Sequence, residues 1–409
     1  MKIITSLIIF TLICSQSYSQ WIQQTTGTNE TLLGVSFPNL QTGFVSGTNG
    51  TILHTETHGE TWHIRTTGTT RFLRDLFFIN ATTGLVVGES GLILKTTNAG
   101  INWTTQISNT TEHLVHIHFT DSQTGFASGQ NGVIIRTTNT GNNWTTQNSG
   151  VNVELACITL ITSDLVFAAG FNGTILKTTN SGNNWIAHSS GTAENLRSIY
   201  FPETNTGFAA GYSGVILKTT NSGVNWTPLN SGTSNNLFAI FFYNLSTGTA
   251  VGTSKIIRTT DGGASWINQP IPFTGDLYDV TFADINSGWA AGQTGKVFYT
   301  NSGGVGIKII SSKIPETYSL NQNYPNPFNP NTIIRYNLLQ SGNVSLKVFD
   351  LLGNEVAVLV NEKQLHGTYE VEFNGNNLSS GFYFYRIVVH SDKIETESFT
   401  DTKKMTLIK

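Results

Sequence analysis

A tryptophan recurs at a fixed interval through most of the chain. A period near 40 residues indicates a repeat architecture, in which each unit is one supersecondary structure that stacks on its neighbours. This periodicity constrains the fold more than any other feature of the sequence. The series runs Trp21, Trp62, Trp103, Trp144, Trp185 and Trp226 at intervals of 41 residues, and Trp266 follows after 40.

Each unit contains four short apolar runs that are separated by turn-forming residues. In the second unit these runs are Leu73–Ile79, Gly84–Gly88, Gly91–Thr96 and Ile101–Thr104. Runs this short, rich in β-branched and aromatic residues and bounded by Gly and Asn, predict strands rather than helices. Each unit is therefore predicted to be a four-stranded antiparallel sheet.

The first strand of each unit repeats at single-residue resolution. A leucine opens it, an aliphatic residue follows three positions later, and a large apolar residue, usually Phe, comes after two more. The leucines are Leu32, Leu73, Leu114, Leu155, Leu196, Leu237 and Leu277. Seven four-stranded units of about 40 residues are typical of a β-propeller, whose blades cover one another around a ring. We therefore predict an all-β fold with a seven-bladed β-propeller over residues 20–306.

The ends of this repeat predict how the ring closes. The seventh unit has Gly306 where a tryptophan is due, whereas Trp21–Gln24 has no unit before it. We expect the N-terminal strand, residues 20–25, to complete blade seven. Ile307–Ile310 is the alternative strand for that edge. Two positions break the glycine pattern, with Val166 in the fourth unit and Lys255 in the sixth, and we expect those blades to be locally looser.

The turn before each tryptophan resembles a known repeat. The sequences from Thr96 to Trp103, Thr178 to Trp185 and Thr259 to Trp266 are similar to Asp-box (BNR) turns. The wider pattern, LxxIxF followed by GFAAGxxGxILKTT, is similar to the propeller of the photosystem II assembly factor (Ycf48-like) family. In that turn an Asx side chain is expected to accept a hydrogen bond from the backbone two residues on. The resemblance implies a scaffold role for the turn, and fold alone does not fix function.

The N-terminus has the features of a secretory signal peptide. Lys2 supplies a positive start, Ile3–Ile13 an apolar run, and Ser17–Ser19 a small-residue cleavage site. Residues 1–19 are therefore predicted to be removed. No later stretch is apolar for long enough to predict a membrane span. With a net charge of -3 and 11% charged residues, the chain lacks the basic surface that nucleic-acid binding requires.

The composition changes after Gly306. Prolines cluster at Pro325, Pro327 and Pro330, and alternating runs then predict the strands of a small immunoglobulin-like β-sandwich. YPNPFNP, VFDLLGNEV, LSSGFYFYRI and KKMTLIK resemble the motifs of the type A sorting domain of the type IX (Por) secretion system. The resemblance covers residues 319–409 and leaves residues 307–318 as a linker. It implies that the type IX machinery is a partner and that a bacterium secretes the chain or holds it on its surface.

The loops that lead into the first strands should converge on one face of the propeller channel. They supply Arg71, Arg74, Asp75, Glu112, His113, His116, Glu154, Glu194, Arg197, Asp276, Tyr278 and Asp279. Three interpretations compete: solvated loops, a face that binds a peptide or glycan, and an active site. Our candidate ligand-binding residues are Arg71, Arg74, Asp75, His116, Glu194, Arg197, Tyr278 and Asp279.

No catalytic motif accompanies these residues, and we predict no cofactor and no resident metal. A glycoside hydrolase would need two carboxylates, or a tyrosine nucleophile and an arginine cluster as in sialidases. His116 and His118 lie on one face of a strand and could supply two metal ligands, but no third is evident. Cys157, in an apolar strand, is predicted to be a core residue. We therefore predict a secreted protein- or glycan-binding module, with a sialidase- or xyloglucanase-like hydrolase as the alternative.

Overall fold

The computed structural model describes residues 21–269, 271, 273–301, 307–311, 313–375, 378–391 and 398–409. The predicted signal peptide lies outside these residues. The all-β prediction is confirmed, since the regular structure is almost entirely strand. In the described ranges, helix is limited to short 3-10 turns, at Glu89–Gly91, Gln130–Gly132, Tyr212–Gly214 and Gln293–Gly295.

The repeat units form seven antiparallel sheets of four strands within the described residues, and the sheets are the blades of the predicted propeller. Blade one consists of Leu32–Ser36, Gly43–Gly47, Ile52–Thr55 and His63–Arg65. Blade two consists of Leu73–Phe78, Gly84–Gly88, Ile93–Thr96 and Thr104–Gln106. Blade three consists of Leu114–Phe119, Gly125–Gly129, Ile134–Thr137 and Thr145–Gln147.

The remaining blades keep the same strand order. Blade four consists of Cys157–Leu160, Val166–Ala169, Thr174–Thr178 and Ile186–Ser189. Blade five consists of Leu196–Tyr200, Gly207–Gly211, Ile216–Thr219 and Thr227–Leu229. Blade six consists of Leu237–Phe242, Gly248–Gly252, Lys255–Thr259 and Ile267–Asn268. Blade seven consists of Leu277–Phe282, Gly288–Gly292, Val297–Thr300 and the N-terminal strand Ile22–Gln24.

The N-terminal strand closes the ring. Ile22 lies opposite Tyr299 in an antiparallel pair, so the first strand of the chain is the outer strand of the last blade. Trp21 is fully buried, and its ring meets Phe282 edge-on at 5.9 Å. Blade two has the same contact between Phe78 and Trp103, at 6.3 Å. Trp21 thus takes the place of the tryptophan that the seventh unit lacks.

The core of the propeller lies between the blades rather than within them. Buried side chains of the described residues form seven clusters, each shared by neighbouring blades. In one cluster, Leu85 and Ile93 of blade two pack with Leu114 and Ile117 of blade three. Burial on both faces explains why the inner strands read as nearly continuous apolar runs.

The outer turns differ in detail from the sequence prediction. The side-chain oxygen of Asn98 accepts the N–H of Asn102, four residues on rather than two, at 2.9 Å. Thr96 completes the turn by accepting the N–H of Gly100 at 2.9 Å. This longer reach keeps Ile101 and Asn102 in the turn, so the fourth strand begins at Thr104 and not at Ile101.

The two irregular units are accommodated without a gap. Elsewhere the glycine lies against a Phe ring, and a Cβ on Gly84 would stand 2.6 Å from the ring of Phe78. In blade four the pair becomes Val166 opposite Leu160, so a smaller side chain makes room for the larger residue, and Val166 is fully buried. The expected looseness is therefore not seen at Val166.

Blade six differs from the others by the length of one turn. Gly252 pairs directly with Lys255, so the second and third strands are joined by two residues. In blade two the corresponding turn contains the 3-10 segment Glu89–Gly91. Lys255 therefore does not replace the turn glycine: one residue has been lost there, which accounts for the interval of 40 residues before Trp266.

The C-terminal region forms a separate pair of four-stranded sheets. The first contains Ile307–Ser311, Gly367–Asn374, Asn331–Leu338 and Ser319–Leu320. The second contains Glu355–Gln364, Gly342–Phe349, Gly381–Ser391 and Ser398–Leu407. Buried residues of both sheets share one core, which includes Ile334, Tyr336, Leu346 and Tyr385.

The sheet order corrects the predicted linker. Ile307–Ser311 pairs with Gly367–Asn374, so it is an edge strand of the sandwich and neither a linker nor part of blade seven. The strand Glu355–Gln364 was also not predicted.

Candidate functional site in the propeller channel

The inner strands line a channel at the centre of the ring. In six of the seven described inner strands the register shifts directly after the opening leucine, for example between Leu73 and Asp75. The residue that bulges there is Arg74 in blade two, Arg197 in blade five and Tyr278 in blade seven. A β-bulge re-aims a side chain. These three side chains accordingly line the channel at the end where the inner strands begin, which we name the upper mouth.

The residues directly after the bulge form a ring that we name the waist. It consists of Gly34, Asp75, His116, Cys157, Ser198, Ala239 and Asp279. A cavity of about 70 Å³ at the upper mouth reaches Asp75, His116, Ser198 and Asp279. A second cavity, of about 710 Å³, reaches the same four residues from the opposite end, which we name the lower mouth. The waist thus separates two sites along one channel.

The waist side chains also connect neighbouring blades. In four blades a side-chain atom of the waist accepts a backbone N–H from the next inner strand, and such N–H groups would otherwise lack a partner on a strand edge. The pairs are Asp75 with Ile117 at 2.9 Å, His116 with Ile158 at 3.5 Å, Ser198 with Ile240 at 3.2 Å and Asp279 with Val35 at 2.8 Å.

Three titratable groups of the waist interact directly. Nε2 of His116 lies 3.7 Å from Oδ2 of Asp75 and 3.5 Å from Sγ of Cys157. The Cys157 thiol donates to the carbonyl oxygen of Ile199 at 3.7 Å, and its burial suits the predicted core role. Asp279 carries the second carboxyl group of the ring.

Burial sets the protonation of these groups. Burial raises the pKa of Asp75, and it raises the pKa of Asp279 to about 7 with help from the charge of Asp75. Burial lowers the pKa of His116, but Cys157 and the two carboxylates outweigh it and raise the pKa overall. The side chain of His116 retains 31% of its exposure, so water in the channel weakens all of these effects. Asp75, His116 and Asp279 therefore titrate together rather than independently.

These shifts predict that the propeller loses stability as the pH rises. The folded pKa of Asp279 lies above its unfolded value of 3.8. Its contribution to the free energy of unfolding is therefore complete below about pH 4 and is lost as the pH rises towards 7. Because water in the channel weakens the effect, we expect the free energy of unfolding to fall by about 1–2 kcal/mol, which corresponds to a fall in Tm of roughly 3–6 °C. Asp279→Asn should reduce the fall in Tm between pH 5 and 7.5, measured by tryptophan fluorescence.

Asp121→Asn is the control, because the pKa of Asp121 is shifted in the opposite direction to that of Asp279. Backbone N–H groups of Thr124 and Gln123 lower the pKa of Asp121, so its contribution is present above the unfolded pKa and is lost only in acid. This variant should keep the wild-type slope between pH 5 and 7.5. Equal slopes in wild type and Asp279→Asn would show that Asp279 does not titrate in this interval.

An arc of aromatic rings borders one side of the upper mouth. Phe171 lies 6.4 Å from Tyr212, Tyr212 lies 6.1 Å from Phe238, and Phe238 lies 5.3 Å from Tyr278, measured between ring centroids. The arc crosses blades four to seven. At the positions of Phe171 and Tyr212 in the second strand turn, blades two and three have Glu89 and Gln130. The aromatic arc is therefore confined to blades four to seven, whereas blades one to three contribute Leu33, Arg74 and Val115 to the lining of the mouth.

Two arginines line the same mouth. Arg197 forms an ion pair with Glu154 at 3.0 Å and lies over the ring of Phe171 at 5.9 Å. Arg74 lies over Phe72 at 5.7 Å, and no carboxylate of the described residues is within ion-pair distance of it. Arg74 can therefore offer its guanidinium group to a ligand. The Tyr278 hydroxyl donates to Asp276 and accepts from Gln293, and burial raises its pKa.

The structure divides the predicted site residues into two groups. Arg74, Arg197 and Tyr278 lie in the upper mouth, and Asp75, His116 and Asp279 lie in the waist below it. Arg71 is exposed and lines a groove beside blade two, and Glu194 is exposed on the loop before blade five. The last two are therefore on the rim and outside the channel.

The sequence prediction missed Phe171, Tyr212 and Phe238. The seven units carry different residues at these positions, and a column-by-column comparison of the repeat would have found them. His118 has a structural contact, since its Nδ1 accepts the N–H of Leu160 at 3.0 Å. Among the described residues, no group of three or more His, Cys, Asp or Glu side chains could hold a metal ion. No helix in the described ranges is long and apolar enough to span a membrane.

Two family models match parts of the chain. Residues 13–108 match the photosynthesis system II assembly factor YCF48, and residues 322–399 match the secretion system C-terminal sorting domain. The chain carries a YCF48-like propeller and a C-terminal sorting domain. By sequence, no curated protein matches it. The sorting domain makes the chain a cargo of the type IX secretion system, delivered to the cell surface or the extracellular space.

Solved structures agree with the YCF48-like fold. The structure titled YCF48 bound to D1 peptide aligns with a TM-score of 0.60 and 20% identity, over 70% of this chain and 96% of that one. YCF48 from Cyanidioschyzon merolae gives 0.58 and 18%, over 69% and 98%. The WD40 propeller domain of Doa1 gives 0.59 and 12%, over 69% and 97%. At these identities the likeness establishes the fold of the YCF48-like propeller alone.

Proposed function

We propose that the exported propeller is a peptide-binding module and that the peptide occupies the upper mouth. The observation that carries the proposal is the asymmetry of this mouth. Seven units share one scaffold, yet aromatic rings gather on blades four to seven, and Arg74 stands opposite the arc with no carboxylate of the described residues as its partner. A purely structural ring would have no need for such departures from the repeat.

The chemistry of the mouth favours a peptide that carries a carboxylate. A guanidinium group can bind a carboxylate through two parallel hydrogen bonds, from an acidic side chain or a chain terminus. The rings of Phe238 and Tyr278 offer faces for an apolar or aromatic residue next to that carboxylate. Support comes also from the similar propeller whose structure is titled as bound to D1 peptide.

The hydrolase alternative receives less support from the channel. The carboxyl groups of the waist, on Asp75 and Asp279, would have to flank a sugar bond. Each accepts one N–H from its own strand and one from the next blade, all within 2.9 Å. Both are thus engaged in holding blades together, which favours binding over hydrolysis.

The test is a peptide and glycan array probed with the purified exported protein, followed by calorimetry on the best peptide. A charge-assisted hydrogen bond contributes about 1.5–3 kcal/mol, so Arg74→Ala should weaken binding by at least roughly 10-fold. Arg71→Ala removes the same side chain from the same blade but outside the channel, and should change affinity less than about 2-fold. Equal effects of the two variants, or binding to glycans alone, would contradict the proposal.

A further inference from the structure

The lower mouth is a second site, distinct from the upper one. Its cavity of about 710 Å³ falls within the range of about 300–1,000 Å³ that small-molecule sites occupy. Two residues beyond the waist, each inner strand contributes one side chain to its wall. Four of these are the rings of Phe77, His118, Tyr200 and Phe241.

The rings occur as two pairs. Phe77 and His118 of blades two and three are 5.2 Å apart and perpendicular, and Tyr200 and Phe241 of blades five and six are 4.8 Å apart. In a closed ring of seven blades these pairs stand on opposite sides of the channel. Hydroxyl groups of Ser36, Thr159 and Thr281 belong to the three blades between them. The cavity is therefore a cage with aromatic walls on two sides.

Acidic groups predominate in the cavity. The described lining contains Asp75 and Asp279 at its floor together with His116, which lies 3.7 Å from Asp75, and it contains Asp121 at its rim and no Lys or Arg. The Nδ1 atom of His118 accepts an N–H from Leu160, which places the proton of the neutral ring on Nε2. Burial and the neighbouring His116 lower the pKa of His118 to about 3, so this ring adds no positive charge at neutral pH.

We propose that the lower mouth binds a small organic cation, an alkylammonium or quaternary ammonium group. Ring faces attract cations through their quadrupole, and quaternary ammonium groups are bound in aromatic cages of this kind. The carboxylate of Asp121 at the rim, whose pKa is lowered by backbone N–H groups, adds attraction for the same charge. The site shares only the waist with the peptide site, and its occupation does not depend on the proposed peptide function.

The experiment is calorimetric titration of the full-length protein with choline, compared with its uncharged isostere 3,3-dimethyl-1-butanol and with glucose. Choline should bind, and the isostere should bind at least roughly 10-fold more weakly because it has the same shape without the charge. Equal binding of the two, or binding of glucose in place of choline, would overturn the proposal, as would no heat with choline up to 50 mM.

Phe241→Leu keeps the apolar volume of the wall and removes a ring face, so it should weaken choline binding at least about 5-fold. Tyr243→Leu is the matched control: it removes an aromatic ring from the same blade, 46% exposed and outside the cavity. The proposal is wrong if the two variants lose equal affinity. Unchanged tryptophan fluorescence must accompany both variants, and binding of the upper-mouth peptide should be retained in Phe241→Leu.

Discussion

Trp21→Ala is expected to be among the most destabilising single substitutions in the propeller. The side chain is fully buried against Phe282, and truncation of a buried tryptophan costs about 3–5 kcal/mol. For a domain of this size that corresponds to a fall in Tm of roughly 8–15 °C. All 8 tryptophans of the chain lie between positions 21 and 289, so their fluorescence follows the propeller and not the sandwich.

Ile22→Ala is the matched control because it changes the same strand at a side chain that is 58% exposed. Surface substitutions of this kind usually change stability by less than about 0.5 kcal/mol. Small and equal effects of both variants would mean that the N-terminal strand does not hold the ring closed.

Removal of the sorting domain should abolish export. A chain that ends at Asn301 is expected to remain inside the outer membrane, whereas the intact chain reaches the cell surface or medium. Immunoblots of the medium, the cell surface and the periplasm measure the difference. Detection of the truncated chain in the medium at the level of the intact chain would contradict the assignment.

The sheet order sharpens this experiment. A reporter fused to residues 307–409 retains the edge strand Ile307–Ser311, whereas residues 319–409 lack it and expose the backbone edge of Gly367–Asn374. The longer fusion should therefore be exported in larger amounts, because an unpaired edge lowers stability and promotes aggregation. Equal export of the two fusions would show that the edge strand is dispensable.

The repeat made most of the propeller predictable from the sequence. The opening leucines identify seven inner strands. Trp21 has no unit before it and the seventh unit lacks its tryptophan, and these two facts together predict that the N-terminal strand closes the ring. The predictions failed where a single residue decides the geometry: the lost turn residue at Lys255, and the start of the fourth strand at Thr104. The sandwich was harder because it has no repeat, so the strands Ile307–Ser311 and Glu355–Gln364 had no second copy to reveal them.

The candidate site was predictable only in part. Loop position alone brought Arg74, Arg197 and Tyr278 to the channel, since every inner strand begins at the same end. It could not separate Arg71 from Arg74, because only the bulge after Leu73 decides which of these side chains turns inward. The hydrogen bonds that Asp75 and Asp279 make to the next blade join residues 42 and 244 positions apart, and no local pattern indicates such pairs.

Closure by the first strand has a consequence for the kinetics of folding. Ile22 and Tyr299 are separated by 277 positions (299 minus 22), so their pairing closes the longest loop in the propeller. Long-range pairing is slow because the entropy of loop closure is lost before the contact is gained. Blades one to six can form from local contacts as the chain emerges, and the seventh must wait for both ends. We therefore expect this pairing to form last during folding and to be the first to open on heating or under force.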